Sequence, residues 1–221
     1  MDNYIKEFAK RYIRKPSTDE IPDEISYNKV CELIRIYNMA MNGVDNVNLE
    51  NIRKEFSEMG YISRNGKLIV KIKPRRKESK LAGKARGYME NMGIILLHEV
   101  PCRSNNKLDY DYAFIYKGIL GNYLYYVEID GSQHFTQQHY FNNPNGKEHD
   151  IIKTTAALKY GYLIRIDYNN VDKTEKILRK AFKKLTWESS LTTTDSSKYK
   201  YLQSTRPDGA DGGKPVGCSI M

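Results

Sequence analysis

Carboxylates recur in the middle of the chain at spacings that could hold a hard cation. Asp109 and Asp111 interrupt Leu108-Asp-Tyr-Asp-Tyr-Ala-Phe-Ile-Tyr116. Glu128 and Asp130 close Tyr125-Tyr-Val-Glu-Ile-Asp130, and Asp150 and Lys153 share His149-Asp-Ile-Ile-Lys153. The first two runs read as neighbouring strands. Tyr110, Tyr112, Phe114 and Tyr116 alternate with other residues, and residues 124–129 are mostly aromatic and apolar until Asp130-Gly131 ends them. Side chains two apart on a strand share a face, so Asp109 is expected to point with Asp111, and Glu128 with Asp130. Carboxylates on a face that otherwise asks for burial are costly without compensation. A divalent cation, magnesium or manganese, is the compensation that hard oxygen ligands suit. Such a centre can acidify a bound water and neutralise negative charge on a substrate.

The elements that would position these acids follow from periodicity. A helical rhythm over 147–160 carries Ile151, Ile152, Thr155, Ala156 and Leu158, and Gly161 stops it. Residues 162–167, Tyr-Leu-Ile-Arg-Ile-Asp, read as a buried strand. A helix over 80–92 leads into a first strand over 94–100. An amphipathic helix over 171–187 gathers Ile177, Leu178, Ala181, Phe182 and Leu185 on one face. Strand with an acid, strand with Glu-x-Asp, helix, strand: this order predicts an α/β core with its acids at one end of a small sheet.

On these residues the chain resembles the PD-(D/E)XK nuclease superfamily. The resemblance is to the branch of very-short-patch-repair-like and phage homing endonucleases. It is carried by Asp111, by Glu128-Ile-Asp-Gly-Ser-Gln-His-Phe135, by Asp150-Ile-Ile-Lys153 and by Leu163-Ile-Arg-Ile166, and covers residues 79–186. It implies a restriction-endonuclease-like core, a small mixed sheet flanked by helices, acting as a magnesium-dependent endodeoxyribonuclease. Asp111, Glu128 and Asp130 would be the metal ligands. Asp130 stands where most members carry the catalytic lysine, so Lys153 is the candidate for the basic role, with His149 and Asp150 within one helical turn of it. His134 is the candidate base or leaving-group contact. Relatives often place a Glu at the start of the first core helix. The matching stretch here, Leu81-Ala-Gly-Lys84, has none, and Glu78 is expected to precede the helix. That gap leaves a second reading open: a catalytically weakened nucleic-acid-binding protein that retains the fold. Plainer readings also stand beside each residue. A surface helix ordinarily carries charges such as Asp150 and Lys153, and a lone His134 in a turn is ordinarily a hydrogen-bonded loop residue.

The formal net charge is +9, and its location is informative. Residues 64–86 hold ten Lys or Arg against one Glu, so this stretch accounts for the whole imbalance. Concentrated positive charge of that kind attracts a phosphate backbone, and double-stranded DNA is the expected partner. Arg64, Lys67, Lys71, Lys73, Arg75, Arg76 and Lys77 are the candidate contacts. The alternative is a solvated segment that serves solubility. Upstream, a short amphipathic helix with Tyr4, Ile5, Phe8, Tyr12 and Ile13 precedes an irregular connector. Ser26 and Asn48 can cap two helices ended by Gly43 and Gly60, and Asn65-Gly66 predicts a hairpin. Helix, helix and basic hairpin suggest a winged-helix-like module, or else an accessory helical subdomain.

The expected organisation is an accessory domain over 1–73, a basic linker over 74–79, the core over 80–187 and a disordered tail over 188–221. Forty per cent hydrophobic content suits a folded protein, and no apolar run approaches the ~20 residues that span a bilayer. The N-terminus does not read as a signal peptide. Three scattered cysteines suggest an intracellular, reducing compartment and no zinc knuckle. Cys218-Ser-Ile-Met221 matches the pattern for prenylation, with Met favouring farnesyl, and makes Cys218 a candidate lipid anchor. No polybasic second signal accompanies it.

Overall fold

The computed structural model describes residues 3–74, 78–119, 121–135, 145–183, 191–194 and 197–202. The chain divides into two compact units, Met1–Lys77 and Glu78–Met221. Among the described residues no helix is long and apolar enough to cross a membrane.

The first unit is built from α1 (Asn3–Tyr12), β1 (Ile13–Arg14), β2 (Asp23–Ser26), α2 (Tyr27–Asn42), α3 (Leu49–Glu58), β3 (Ile62–Arg64) and β4 (Lys67–Ile72). Local chemistry sets the boundaries. The Ser26 hydroxyl accepts from Lys29 N at the start of α2, and Gly43 ends it in the left-handed conformation. The Asn48 side chain accepts from Glu50 N and Asn51 N at the start of α3. Asn65 and Gly66 both take positive φ, so the two-residue turn joins β3 to β4 with the twist a hairpin requires. The hairpin is not a free wing. β4 pairs antiparallel with β1, β2 and β3 together, completing a four-stranded sheet. Two of those strands come from the expected end of the first helix, at Ile13, and from the expected irregular connector. Ile13 pairs with Ile72, and Asp23–Ser26 run alongside residues 67–70. Strands of two and four residues carry too little periodicity to be read without their partners.

The second unit comprises α4 (Lys80–Asn91), β5 (Leu97–Cys102), β6 (Asn105–Gly118), β7 (Gly121–Asp130), α5 (Gly146–Tyr160), β8 (Tyr162–Asp167), α6 (Thr174–Lys183) and β9 (Leu191–Thr193). Its sheet has the order β5-β6-β7-β8-β9. The first three strands form an antiparallel meander; β7–β8 and β8–β9 are parallel. The unit is therefore mixed α/β, with a five-stranded mixed sheet. One sheet face packs Tyr112, Phe114, Tyr125, Val127, Ile129, Ile164 and Ile166 against Ala82, Ala85 and Met89 of α4 and Leu178 and Ala181 of α6. On the other side, Tyr110 stacks near Tyr126 and its hydroxyl donates to the Lys153 carbonyl of α5 (2.7 Å). Every residue of β8 is buried, which a strand flanked by parallel neighbours and covered by helices requires.

Two boundaries differ from expectation. Ser79 caps α4 by accepting from Ala82 N, and Glu78 bonds within the second unit, so neither belongs to a linker. Of the tail expected to be disordered from residue 188, the described residues 191–194 and 197–202 pack onto the core. Leu191–Thr193 form β9 on the edge of β8, and Tyr199 and Leu202 are buried. The stretch is rich in Ser, Thr and Asp, but those polar groups bond the sheet end. Thr194 Oγ1 accepts from Asp167 N (3.0 Å) and Lys198 Nζ reaches Asp167 (3.2 Å). Cys218, the prenylation candidate, lies outside the described residues.

Candidate functional site

The acids converge where β6 parts from β7. The ladder between these strands runs to Tyr112 opposite Val127. Asp111 and Glu128 each lie one residue beyond that pair, on adjoining strands. The next β7 amide, Ile129 N–H, donates to Asp111 Oδ2 (2.7 Å). The Asp111 carboxylate is thereby tied to β7 next to Glu128. Asp109, the other candidate, lies opposite Pro101 two residues away.

The alternation expected across Tyr110, Tyr112 and Phe114 does not hold. Tyr112 packs in the α4–α6 core, whereas Tyr110 stacks with Tyr126 and bonds α5. Residues two apart therefore face opposite sides, and the reversal falls at Asp111. Its neighbour on β5 contributes: Glu99, between His98 and Val100, takes φ +48, a left-handed conformation rare for a non-glycine residue inside a strand. Period-two reasoning has no signal for such a break.

Glu128 is 5 % exposed, and Lys153 Nζ of α5 lies 2.5 Å from its Oε1 without a directional hydrogen bond. Burial raises the Glu128 carboxyl to about 8, opposed by Lys153 and reinforced by Asp111. Asp111 is also raised, chiefly by burial. Both acids resist ionising where they stand.

Asp130, expected as a metal ligand, and Asp150, expected to join the catalytic group beside Lys153, are both engaged by Arg165. Arg165 on β8 is fully buried and donates through Nε to Asp130 Oδ2 (2.9 Å) and through Nη2 to Asp130 Oδ1 (2.7 Å) and Asp150 Oδ1 (2.8 Å). The hydroxyl of Tyr199 donates to Asp130 Oδ2 (2.7 Å), and that of Tyr201 to Asp150 Oδ2 (2.8 Å). All four carboxylate oxygens therefore accept a protein hydrogen bond. Arg165 sits in register beside Glu128, so burying one guanidinium between two acids dictates this outcome. The sequence signal was present in Leu163-Ile-Arg-Ile166: an Arg in an otherwise apolar buried strand requires acids within reach. Tyr199 and Tyr201 carried no comparable signal.

Glu78 joins the neighbourhood from the other face. It accepts from the Tyr112 hydroxyl and from Arg86 Nε (3.2 Å), with His98 Nδ1 4.0 Å away. A Cβ on Gly83 would lie 3.0 Å from its Oε2, so the helix glycine leaves room for the carboxylate. His134 belongs to the turn Ser132–Phe135, and its side chain lies outside the described residues. His149 lies on α5, one turn before Lys153.

Charge decides what the cluster can hold. Asp111, Glu128, Asp130 and Asp150 interact with Lys153 and Arg165, leaving four acids against two bases. Two extra protons would balance it, and so would one divalent cation. Magnesium is commonly held by one or two carboxylates, with water and substrate phosphate completing its shell. Asp111, with one oxygen engaged by Ile129 N, and Glu128, with no directional hydrogen bond at Oε1, fit that donor set. Among the described residues there is no cluster of three or more His, Cys, Asp or Glu suited to a metal ion. Asp130 is therefore a poor third ligand.

In the first unit three of the candidate basic residues, Lys67, Lys71 and Lys73, are partnered by folding. Lys67 Nζ lies 2.9 Å from Glu24, Lys71 lies 3.6 Å from Asp23, and Lys73 donates to the Lys10 carbonyl. Arg64 is exposed on β3, and Arg75, Arg76 and Lys77 lie outside the described residues. A linear charge count misses β2, whose acids lie alongside the basic strand.

Compared with protein-family models, curated proteins and solved structures, the chain gives no match.

Proposed function

We propose that the Glu78–Met221 unit is a magnesium-dependent endonuclease that hydrolyses phosphodiester bonds in double-stranded DNA. The fold then counts as restriction-endonuclease-like, a small mixed sheet flanked by helices. The observation that carries this reading is the pairing of Asp111 and Glu128 on adjoining strands, both raised by burial, with Lys153 against Glu128. Asp111 and Glu128 hold the cation. When bound, that ion supplies charge neutralisation at the phosphate and acidifies a water molecule. Lys153, beside Glu128, would supply an ammonium to meet the phosphate or orient the attacking water. Asp130, Asp150 and Arg165 hold β7, α5 and β8 together beneath the site. The test is nicking of supercoiled plasmid with magnesium. Wild type relaxes the plasmid, whereas Asp111→Asn and Glu128→Gln each lose at least about 100-fold in rate. A Glu128→Gln variant that cuts at the wild-type rate removes the assignment.

A second reading has its own observation. The Lys153 ammonium already lies against Glu128, and Arg165 already bonds Asp130 and Asp150. In that case the fold serves nucleic-acid binding without cleavage. DNA binding that persists in chelator, with no nicking under magnesium or manganese, selects it.

A further inference from the structure

We propose that residues 197–202 form a strap whose phenols, Tyr199 and Tyr201, are positioning residues for the Lys153–Glu128 pair. The chain of contacts is continuous. Glu128 and Arg165 are register neighbours on β7 and β8. Arg165 binds Asp130 on one strand and Asp150 on α5. Asp150 lies three residues before Lys153, on the same side of the helix. The strap completes the set: Tyr199 donates to Asp130, Tyr201 donates to Asp150, and the Arg165 guanidinium lies 5.6 Å from the Tyr199 ring centroid. Tyr199 and Leu202 are buried, and Lys198 ties the strap to Asp167 at the end of β8.

The phenols matter because the triad is short of positive charge. Two buried carboxylates share one guanidinium, leaving one formal negative charge in a low-dielectric setting. Each phenol donates to a carboxylate oxygen that Arg165 leaves partly satisfied or unsatisfied, and so fixes the position of that carboxylate. Without those donors a buried carboxylate oxygen loses its hydrogen bond, and the hold of the acids on Arg165 loosens. Asp150 is the weaker point, since it makes one bond to Arg165 where Asp130 makes two. Release of Asp150 detaches the first turns of α5 from β8. Lys153, one turn on, then loses its register against Glu128. Phenylalanine keeps the ring packing and removes only the donor.

The inference rests on the proposed function only where it predicts a rate. The experiment uses full-length Tyr199→Phe, Tyr201→Phe and the double variant, with Tyr88→Phe as a control whose hydroxyl bonds Asp172 elsewhere. The first readout is the proton–nitrogen NMR correlation of the Lys153 ammonium, visible only while Glu128 holds it out of fast exchange. The expected result is a signal in wild type and Tyr88→Phe that is weakened in Tyr201→Phe and lost in the double variant. The second readout is nicking, with kcat falling about tenfold for Tyr201→Phe and KM for DNA unchanged. If the double variant does not fold, Tyr201→Phe alone decides. A Lys153 signal and kcat at wild-type levels in the folded variants overturn the proposal. Should wild type fail to cut DNA, the nuclease reading falls by itself, and the ammonium signal still decides the strap.

Discussion

Glu128 keeps its proton far above the range of an exposed carboxyl, and the consequence is a pH dependence opposite to that of a paired surface acid. Burial raises it to about 8, well above the value it takes in an unfolded chain. Between those two values the folded state binds more protons than the unfolded one, so stability falls as pH rises. The penalty is absent below the unfolded pKa and complete above about 8. Lys153 limits it without removing it. Metal-free wild-type protein is therefore expected to lose several degrees of Tm between pH 5 and 8, and Glu128→Gln to lose less. The same oxygen is offered to protons and to magnesium. Added magnesium should then raise Tm more at pH 8 than at pH 5, in wild type but not in Glu128→Gln. A flat wild-type profile, matched by the variant, would show that Glu128 ionises freely. Arg165 presents the converse case: Arg165→Met leaves Asp130 and Asp150 buried without their cation, and a loss of about 3–5 kcal/mol in urea unfolding is expected.

At the scale of elements, the helices and the strands at the acids were legible because each signal was local. Ser26 and Asn48 cap the helices they precede, and Asn65-Gly66 turns a hairpin; Ser79, read as linker, caps α4. What escaped was set by distant partners. β1, β2 and β9 are short strands that exist because β4 and β8 offer an edge, and Asp111 faces Glu128 because the alternation breaks beside Glu99. Lys153 was singled out through the family resemblance and lies against Glu128, whereas Arg165 was read only as part of a strand. Gly161 is a case where the residue was legible and its reason was not. It was read as a helix stop, and it does end α5, yet its backbone is extended (φ −176). The constraint is room: an added Cβ would lie 2.4 Å from the Leu124 carbonyl oxygen on β7. Backbone cannot yield as a side-chain tip can, so Gly161→Ala is expected to cost about 1–3 kcal/mol by forcing β7 and the end of α5 apart. Chemical denaturation measures this, and a variant as stable as wild type would mean that the crossover has slack.

For the whole molecule, charge in sequence and charge in space differ, and the difference bears on where DNA would be met. Ten basic residues lie within 64–86, but folding sets Glu24 against Lys67 and Asp23 against Lys71. These pairs are substantially exposed, so each contributes little to stability. They still lower the local potential that a phosphate backbone would sense. If the β2–β4 surface is the DNA contact, those acids weaken it. Asp23→Asn with Glu24→Gln should then tighten duplex DNA binding several-fold at low salt, and the advantage should shrink as ionic strength rises. Fluorescence anisotropy with one short duplex at a series of salt concentrations measures both effects. Lys67→Ala with Lys71→Ala is the opposing control and should weaken binding with a shallower salt slope. An unchanged Kd in both pairs of variants would move the DNA contact off this sheet, while leaving the carboxylates beside Lys153 and Arg165 to be judged by their own chemistry.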